Sequence, residues 1–240
     1  MIPLVWIYWV VSLTIVTYAS AYIVKNFKDW GFAALTAFYA IYLGASQILA
    51  SRIVLFDLGF YQFYAPAAVL IYPFIAQVID MINEVYGREK AHLAIFIVFI
   101  TQVLLVTFIA MVNTLSPAPF FKFEEAWQNL FNLSVRITAA SWISFLICSN
   151  IDAYIFAKLK QKFLHKEKQF KLDTTLNPYV WLRSSISDIM DLTLDSIIFV
   201  TLAFYGVMPV QPLIIGQIIS KNIIGFLDNP WFVWYKRILK

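Results

Sequence analysis

The sequence has little charge and almost none of the residues that catalyse reactions or bind metals. Only 13% of its 240 residues are charged, and it contains one cysteine, Cys148, and two histidines. A soluble domain averages about 25% charged residues. A lone cysteine excludes a disulfide framework and a CxxC metal site. Because HExxH, GxSxG and Walker A motifs are also missing, we predict a protein that is not an enzyme and has no cofactor and no metal site.

Apolar residues are abundant instead. They make up 61% of the chain, and the mean hydropathy is +0.75. A membrane-spanning helix needs about 20 mostly apolar residues. Seven segments meet that length, so we predict an all-α, polytopic integral membrane helix bundle with no inserted soluble domain. The predicted spans are 2–24, 32–56, 65–86, 90–115, 129–160, 178–207 and 212–234, with an interfacial segment at 116–128.

Basic residues predict the orientation of these spans. If the N-terminus lies outside, thirteen of the 18 Lys and Arg residues fall in inner loops and only Arg52 and Lys122 fall in outer loops. Basic residues accumulate in cytoplasmic loops. We therefore expect a multi-pass protein of the plasma membrane with its N-terminus outside and its C-terminus in the cytoplasm. Because the basic residues set topology, we predict no nucleic-acid partner.

Several ionisable residues interrupt the predicted spans. An ionisable side chain at the centre of a spanning helix costs about 2.5–3.5 kcal/mol on insertion scales, so it usually faces the protein interior and serves a function. On the span 178–207, Ser184, Asp188, Asp191 and Asp195 share roughly 60° of arc at 100° per residue. A second stripe on the span 65–86 covers roughly 100°. Its members are Pro73, Gln77, Asp80, Asn83 and Glu84.

The balance of these charges leaves two interpretations open. Some of the residues could form buried ion pairs that fix helix register. Six acids, however, face only three cations, so carboxylates are left for a ligand, an ion or a proton. The acids are Asp80, Glu84, Asp152, Asp188, Asp191 and Asp195, and the cations are Arg136, Arg183 and Lys221. We also expect Pro73 to kink its helix, and Tyr72 and Trp181 either to stack on a planar ligand or to pack in the core.

Four stretches of the sequence resemble a known family. They are YPFIAQVIDMINEVYGREKAH at 72–92, SVRITAASWISFLICSNIDAYIFAKLK at 134–160, WLRSSISDIMDLTLDSIIFVTLAFYG at 181–206 and KNIIGFLDNPWFVWYKRI at 221–238. Together they resemble the queuosine precursor transporter family, also called the vitamin uptake transporter family. The resemblance covers about residues 32–240. It implies a six-helix core at 31–240 and an extra N-terminal transmembrane helix at 1–30.

The resemblance also implies a function. Such proteins import 7-cyano-7-deazaguanine or 7-aminomethyl-7-deazaguanine for tRNA modification, so the expected partners are this small molecule, the lipid bilayer and a second copy in a homodimer. One carboxylate can accept both adjacent N–H donors of a guanine-like edge. The expected substrate-binding residues are Tyr72, Asp80, Asn83, Trp181, Arg183, Ser187, Asp195 and Lys221. The expected coupling or ion-pair residues are Glu84, Arg136, Asp152, Asp188 and Asp191.

Departures from the family pattern keep two alternatives open. Ser184 and Ser185 stand where the family is expected to carry two asparagines, Asp188 stands for Thr, and Asp191-Leu192 stands for Ser-Gln. Asp188, Asp191 and Asp195 also fit the DxxDxxxD spacing of Mg²⁺-dependent membrane prenyltransferases. The other alternative is the substrate-binding subunit of a multi-subunit vitamin importer, since the chain has no nucleotide-binding domain.

Overall fold

A hairpin and eight α-helices form the described chain. The computed structural model describes residues 4–50, 52–57, 62–131, 135–169, 177–207 and 209–239. Strands β1 (Ile53–Asp57) and β2 (Gln62–Pro66) pair antiparallel, and a 3₁₀ turn follows at Ala67–Leu70. The helices are α1 (Leu4–Asn26), α2 (Lys28–Leu49), α3 (Tyr72–Tyr86), α4 (Arg88–Asn113), α5 (Glu124–Phe131), α6 (Val135–Gln169), α7 (Pro178–Phe204) and α8 (Val210–Leu239).

The long helices alternate in direction, which defines two ends of the bundle. Near the start of α1, the indole Nε1 of Trp9 donates to the carbonyl of Leu70, 3.0 Å away. Near the end of α1, Lys25 Nζ donates to the carbonyl of Ile238 at 2.7 Å. We call the side that holds β1 and β2 the hairpin end and the side that holds the last turn of α8 the C-terminal end. Helices α1, α3, α6 and α8 run toward the C-terminal end, while α2, α4 and α7 return.

Five of the described helical segments are long and apolar enough to cross a membrane. They are Leu4–Asn26, Lys28–Leu49, Arg88–Asn113, the stretch Glu124–Gln169 that contains α5 and α6, and Val210–Leu239. Many large apolar side chains on these segments are exposed, among them Ile41, Phe96 and Phe108, as expected where a helix faces lipid. The protein is therefore an all-α membrane helix bundle. The helices that carry the two acidic stripes, α3 and α7, are outside this set of five.

Two predicted spans are wrong at the hairpin. The span 32–56 ends as a helix at Leu49, and the span 65–86 begins as a helix only at Tyr72. Ile, Val and Phe in IVLFD favour a strand, and Pro66 disfavours helical backbone at the residue before it. Pro73 lies in the first turn of α3, where its missing N–H is not needed. The predicted kink there is also wrong, since the α-helix begins only one residue before the proline.

Helix α3 lies at the centre of the bundle. Its residues from Pro73 to Asn83 are all buried, because α2, α4, α6 and α8 surround it. Helix α1 packs against α2 and α8 and buries Leu13, Thr17 and Ala21. Thr17 Oγ1 donates to Gln77 Oε1 on α3 at 3.3 Å. The first helix is therefore joined to the bundle by polar contacts as well as by apolar packing.

Candidate functional site

Local sequence positions α7 so that its polar stripe faces inward. Asn177 precedes the helix, and its side-chain Oδ1 accepts from the backbone N–H groups of Tyr179 and Val180 at 3.1 and 3.4 Å. Pro178 then occupies the first turn, where proline suits the backbone. In the stripe that follows, Ser184, Asp188 and Asp195 are buried and Asp191 is half-buried, and the helix packs against α6 and α8. Its polar side chains meet α3 and α6 at three levels between the two ends of the bundle.

At the C-terminal end, five charged side chains form what we call the ionic network. Arg183 NH2 lies 2.7 Å from Glu84 Oε2, and Arg183 Nε lies 2.8 Å from Glu167 Oε1. Lys236 contacts the same two acids at 3.0 and 2.5 Å, and Lys160 lies 3.4 Å from Glu84. The network therefore joins α3, α6, α7 and α8. Arg183, predicted to bind substrate, and Glu84, predicted as a coupling or ion-pair residue, are thus ion-pair partners of each other in this network.

The side chain of Arg183 is enclosed by carboxylates and aromatic rings. Its side chain is fully buried, with 0% exposure, and its guanidinium carbon lies 4.6 Å from the ring centre of Phe156 and 5.8 Å from that of Phe232. A planar guanidinium can pair with carboxylates at its edge while it stacks on aromatic faces. Arg183 therefore fixes the C-terminal end by both charge and packing.

Near the middle of the bundle lies the acidic triad, formed by Asp80, Asp152 and Asp188. One carboxylate oxygen from each residue lies within 4.8 Å of the other two, although the side chains come from α3, α6 and α7. The residues are only 1%, 2% and 5% exposed. Among the described residues, no Lys or Arg forms an ion pair with any of them. Their charge is therefore not balanced by a basic side chain.

Serine hydroxyls on α7 hold two members of the triad. Ser184 Oγ donates to Asp80 Oδ2 at 2.6 Å and lies 3.4 Å from Asp188 Oδ2. Ser187 Oγ donates to Asp152 Oδ1 and also contacts the carbonyl of Asp152 at 3.3 Å. Ser187, predicted to bind substrate, thus has a carboxylate of the triad as its hydrogen-bond partner. The remaining oxygens Asp80 Oδ1 and Asp188 Oδ1 accept no hydrogen bond from the described residues.

Toward the hairpin end, Asp195 and Lys221 form a buried ion pair between α7 and α8. Lys221 Nζ lies 2.5 Å from Asp195 Oδ2, and Ser144 Oγ on α6 donates to Asp195 Oδ1 at 2.6 Å. The same ammonium lies 3.9 Å from the ring centre of Tyr72. A desolvated cation over an aromatic face is favourable. Three residues predicted at the substrate site, Tyr72, Asp195 and Lys221, therefore lie together.

Beside this pair is what we call the polar cavity, which measures about 30 Å³. Tyr72, Ser149, Asp191 and Asp195 line it. A second cavity of about 50 Å³ lies toward the hairpin and shares Tyr72 with the first. One water molecule occupies about 30 Å³ in the liquid, so neither cavity admits a bicyclic base as it stands. A larger cavity of about 230 Å³, between α4 and α5, has Glu124 as its one ionisable residue.

The other predicted residues lie elsewhere. Asn83 Nδ2 donates to the carbonyl of Ala153 at 2.7 Å and so joins α3 to α6. Trp181 packs edge-on against Phe226, with ring centres 4.6 Å apart, which is the core-packing alternative. Arg136 is exposed and donates to the carbonyls of Leu202 and Tyr205 at 2.7 Å each. Its observed partners are therefore backbone carbonyls in the last turn of α7 and just after it.

Sequence reasoning missed the partners of Arg183. Glu167 was not among the predicted site residues and Lys236 was counted only toward topology, whereas α6 continues nine residues beyond its predicted end at 160 and carries Glu167. Lys, Gln and Glu are good helix formers, so the run after residue 160 could have been extended. A second signal was available, because Glu167 is the one acid in a stretch otherwise rich in lysine.

The acids of the DxxDxxxD spacing do not converge. Asp188 lies with Asp80 and Asp152, whereas Asp195 forms an ion pair with Lys221. Seven residues along a helix span about 10 Å, so Asp188 and Asp195 lie at different levels of the bundle. This arrangement does not favour the prenyltransferase alternative, in which the three carboxylates act on one diphosphate.

Comparisons with known proteins place this geometry in context. A family model described as "Putative vitamin uptake transporter" matches residues 66–235. The "Probable queuosine precursor transporter" of Bacillus subtilis (strain 168) is 21% identical over 212 residues, which is 87% of each chain. No solved structure matches this chain. The matched range 66–235 includes all three levels of the polar stripe.

Proposed function

We propose that this chain, which belongs to the vitamin uptake transporter family, imports 7-cyano-7-deazaguanine or 7-aminomethyl-7-deazaguanine for tRNA modification. The observation that carries the proposal is the polar cavity inside an apolar bundle, where Asp191 and Asp195 face Tyr72. The relative's printed name, a queuosine precursor transporter, supports the substrate class. Family membership also means that the protein is a transporter and not an enzyme.

Recognition of the base begins with Asp191. Its Oδ1 accepts no hydrogen bond from the described residues, whereas both oxygens of Asp195 already have donors in Ser144 and Lys221. A free carboxylate can accept the two adjacent N–H donors of a guanine-like edge. Asp195 then provides the second acceptor, with Lys221 balancing its charge. Tyr72 offers an aromatic face for the ring. Asp80 lies in the triad and is not among the residues that line the cavity.

Binding requires the bundle to open at the hairpin end. The polar cavity is too small for the base, and the ionic network holds the opposite end closed through Arg183 and Glu84. Substrate therefore enters between α2, α3 and the hairpin, and release requires the ionic network to separate. This alternation between two closed ends is how transporters expose one midplane site to each side in turn.

The proposed topology has an extra N-terminal helix, residues 1–30, beside a six-helix core at 31–240. The N-terminus lies outside and the C-terminus in the cytoplasm, so the ionic network faces the cytoplasm and the hairpin faces outward. We place the protein in the plasma membrane and expect a homodimer. The excess of Lys and Arg in the inner loops supports this orientation.

Precursor-dependent tRNA modification tests the function directly. Cells that can neither make nor import the precursors receive the gene, and modification is measured at low external 7-deazaguanine. The wild-type chain restores modification, and Asp191→Asn and Asp195→Asn abolish the rescue at equal protein levels. Asp29→Asn is the matched control, since Asp29 is exposed at the start of α2, and it rescues fully.

Two outcomes contradict the proposal. If the wild-type protein reaches the membrane but gives no rescue, the substrate is different. If Asp195→Asn rescues like the wild type, the substrate site lies elsewhere. Proteoliposomes that contain only this chain test the multi-subunit alternative, since uptake by the pure protein excludes an obligatory energising subunit.

A further inference from the structure

We propose that the acidic triad of Asp80, Asp152 and Asp188 binds a small hard cation, such as Na⁺ or a divalent ion. The proposal rests on the transporter function only for its biological meaning, because binding can be measured without substrate. Hard cations prefer carboxylate and other oxygen ligands. The three oxygens lie within 4.8 Å of one another, a spacing that lets one ion contact all three.

Charge balance makes a cation necessary in the ionised triad. Each acid is more than nine-tenths buried, and none forms an ion pair with a described Lys or Arg. The nearby cations already have partners, since Arg183 pairs with Glu84 and Glu167 and Lys221 pairs with Asp195. Buried charges are otherwise paired or coordinate metals. The triad therefore carries three carboxylates that pair with no described basic side chain, whereas Glu84, Glu167 and Asp195 each have a basic partner.

The open oxygens of the triad point to a ligand. Asp80 Oδ1 and Asp188 Oδ1 accept no hydrogen bond from the described residues, although the adjacent oxygens of the same carboxylates contact Ser184. Serine donation thus orients one oxygen of each acid and leaves the other available. Ligand preorganisation of this kind is typical of ion sites, where groups outside the ligand set orient the ligands.

Neutral oxygens beside Asp188 provide an independent observation. Ser185 and Asn229 line a narrow gap between α7 and α8 together with Asp188, and the gap leaves no room for a water molecule. Both residues are at least 95% buried, yet Ser185 Oγ and Asn229 Oδ1 have no hydrogen-bond partner among the described residues. Unpaired buried oxygens are rare in folded proteins. Two unpartnered, buried neutral oxygens of the kind that hard cations bind therefore lie beside Asp188, the triad member on α7.

Thermal unfolding of the purified full-length protein tests the site. The eight tryptophans report unfolding at pH 7.5 in choline chloride, with NaCl, MgCl₂ or CaCl₂ replacing choline at constant ionic strength. A cation that binds only the folded state raises Tm in proportion to ln(1 + [L]/Kd). We expect a saturable rise with at least one of these cations, and the effective cation identifies the ion.

Variants locate the binding. Asp152→Asn and Asp188→Asn lose the cation-dependent rise, while Asp29→Asn, which removes an exposed carboxylate at the start of α2, keeps it. In choline the two triad variants unfold at or above the wild-type temperature, because one like charge is gone. In saturating cation the order reverses. That crossover separates loss of a ligand from a general folding defect.

The wild-type titration alone can overturn the proposal. If none of the three cations gives a saturable rise, the triad holds protons and no cation site exists. A rise that survives in Asp152→Asn and Asp188→Asn also overturns it, since binding then occurs elsewhere. Failure of precursor-dependent rescue with an intact cation effect would instead reject the proposed substrate.

Discussion

The ionic network and the acidic triad share helices α3, α6 and α7, but acids in the network are paired with basic side chains and acids in the triad are not. In the ionic network, three basic and two acidic side chains pair within 3.4 Å. In the triad, three acids meet with serine hydroxyls and no basic partner. Removing one partner of a buried pair exposes the other to full desolvation cost. Removing one of several like charges relieves repulsion. The two regions should therefore respond with opposite signs to neutralisation.

Arg183→Gln should lower the stability of the protein more than any of the other proposed variants. It leaves Glu84 and Glu167 near one another and removes the stack on Phe156, so we expect a loss of about 3–5 kcal/mol. Such a loss lowers Tm by on the order of 10 °C for a chain of this size. Thermal unfolding in detergent measures it, and Arg136→Gln serves as the control because that guanidinium is exposed. Equal Tm values for the two variants would contradict the assigned role of Arg183.

Lys221→Gln tests whether the buried pair with Asp195 behaves like the ionic network. The single variant leaves Asp195 buried without its cation, so stability falls by about 3 kcal/mol. The double variant Asp195→Asn with Lys221→Gln regains most of that loss, because no charge is left unpaired. Uptake remains absent in the double variant, since the cavity has lost an acceptor. Recovered uptake would mean that Asp195 serves only to pair Lys221.

Asp152→Asn tests the opposite expectation for the triad, namely that neutralising one of its carboxylates does not destabilise the protein. Asn keeps an oxygen that accepts from Ser187 and removes one like charge. We expect stability in cation-free buffer to stay within about 1 kcal/mol of the wild type or to rise. The measurement is again Tm in choline chloride. A loss as large as that of Arg183→Gln would show that Asp152 has an attractive partner.

Lys160→Gln should have the smallest effect. Its side chain is 26% exposed and lies 3.4 Å from Glu84, so solvent screens the pair and its contribution is below about 1 kcal/mol. Glu84 also keeps its contacts with Arg183 and Lys236. A large loss of stability in this variant would show that the ionic network depends on all its members.

The sequence predicted the helical bundle and most of the polar residues, because apolar length and helical periodicity are local properties. It failed at the hairpin, where IVLFD reads equally well as an apolar helix segment. Length alone cannot separate a short buried strand from the end of a helix. Pro66 was the residue that distinguished them.

The candidate site was predicted as a set of residues but not as three levels. Depth and angle placed Asp80, Asp188 and Asp195 on inward faces, yet one sequence does not reveal which cation reaches which acid. Arg183 pairs with Glu167, a residue outside its predicted span, and Lys221 selects Asp195. Which cation pairs with which acid depends on how far their side chains extend between helices that are distant in sequence. The surplus of acids over cations was nevertheless visible, and it lies in the triad and in Asp191, which form no ion pair among the described residues.

The ionised triad is a net negative charge inside the bundle, and the electric field across the membrane exerts a force on such a charge. Moving one elementary charge across 100 mV is worth about 2.3 kcal/mol. Helix movements that carry the ionised triad partway through this field therefore have an electrical cost, whereas movement of the neutral Asp195–Lys221 pair has almost none. Occupancy of the triad sets how many charges move, so voltage and ion concentration act on the same step.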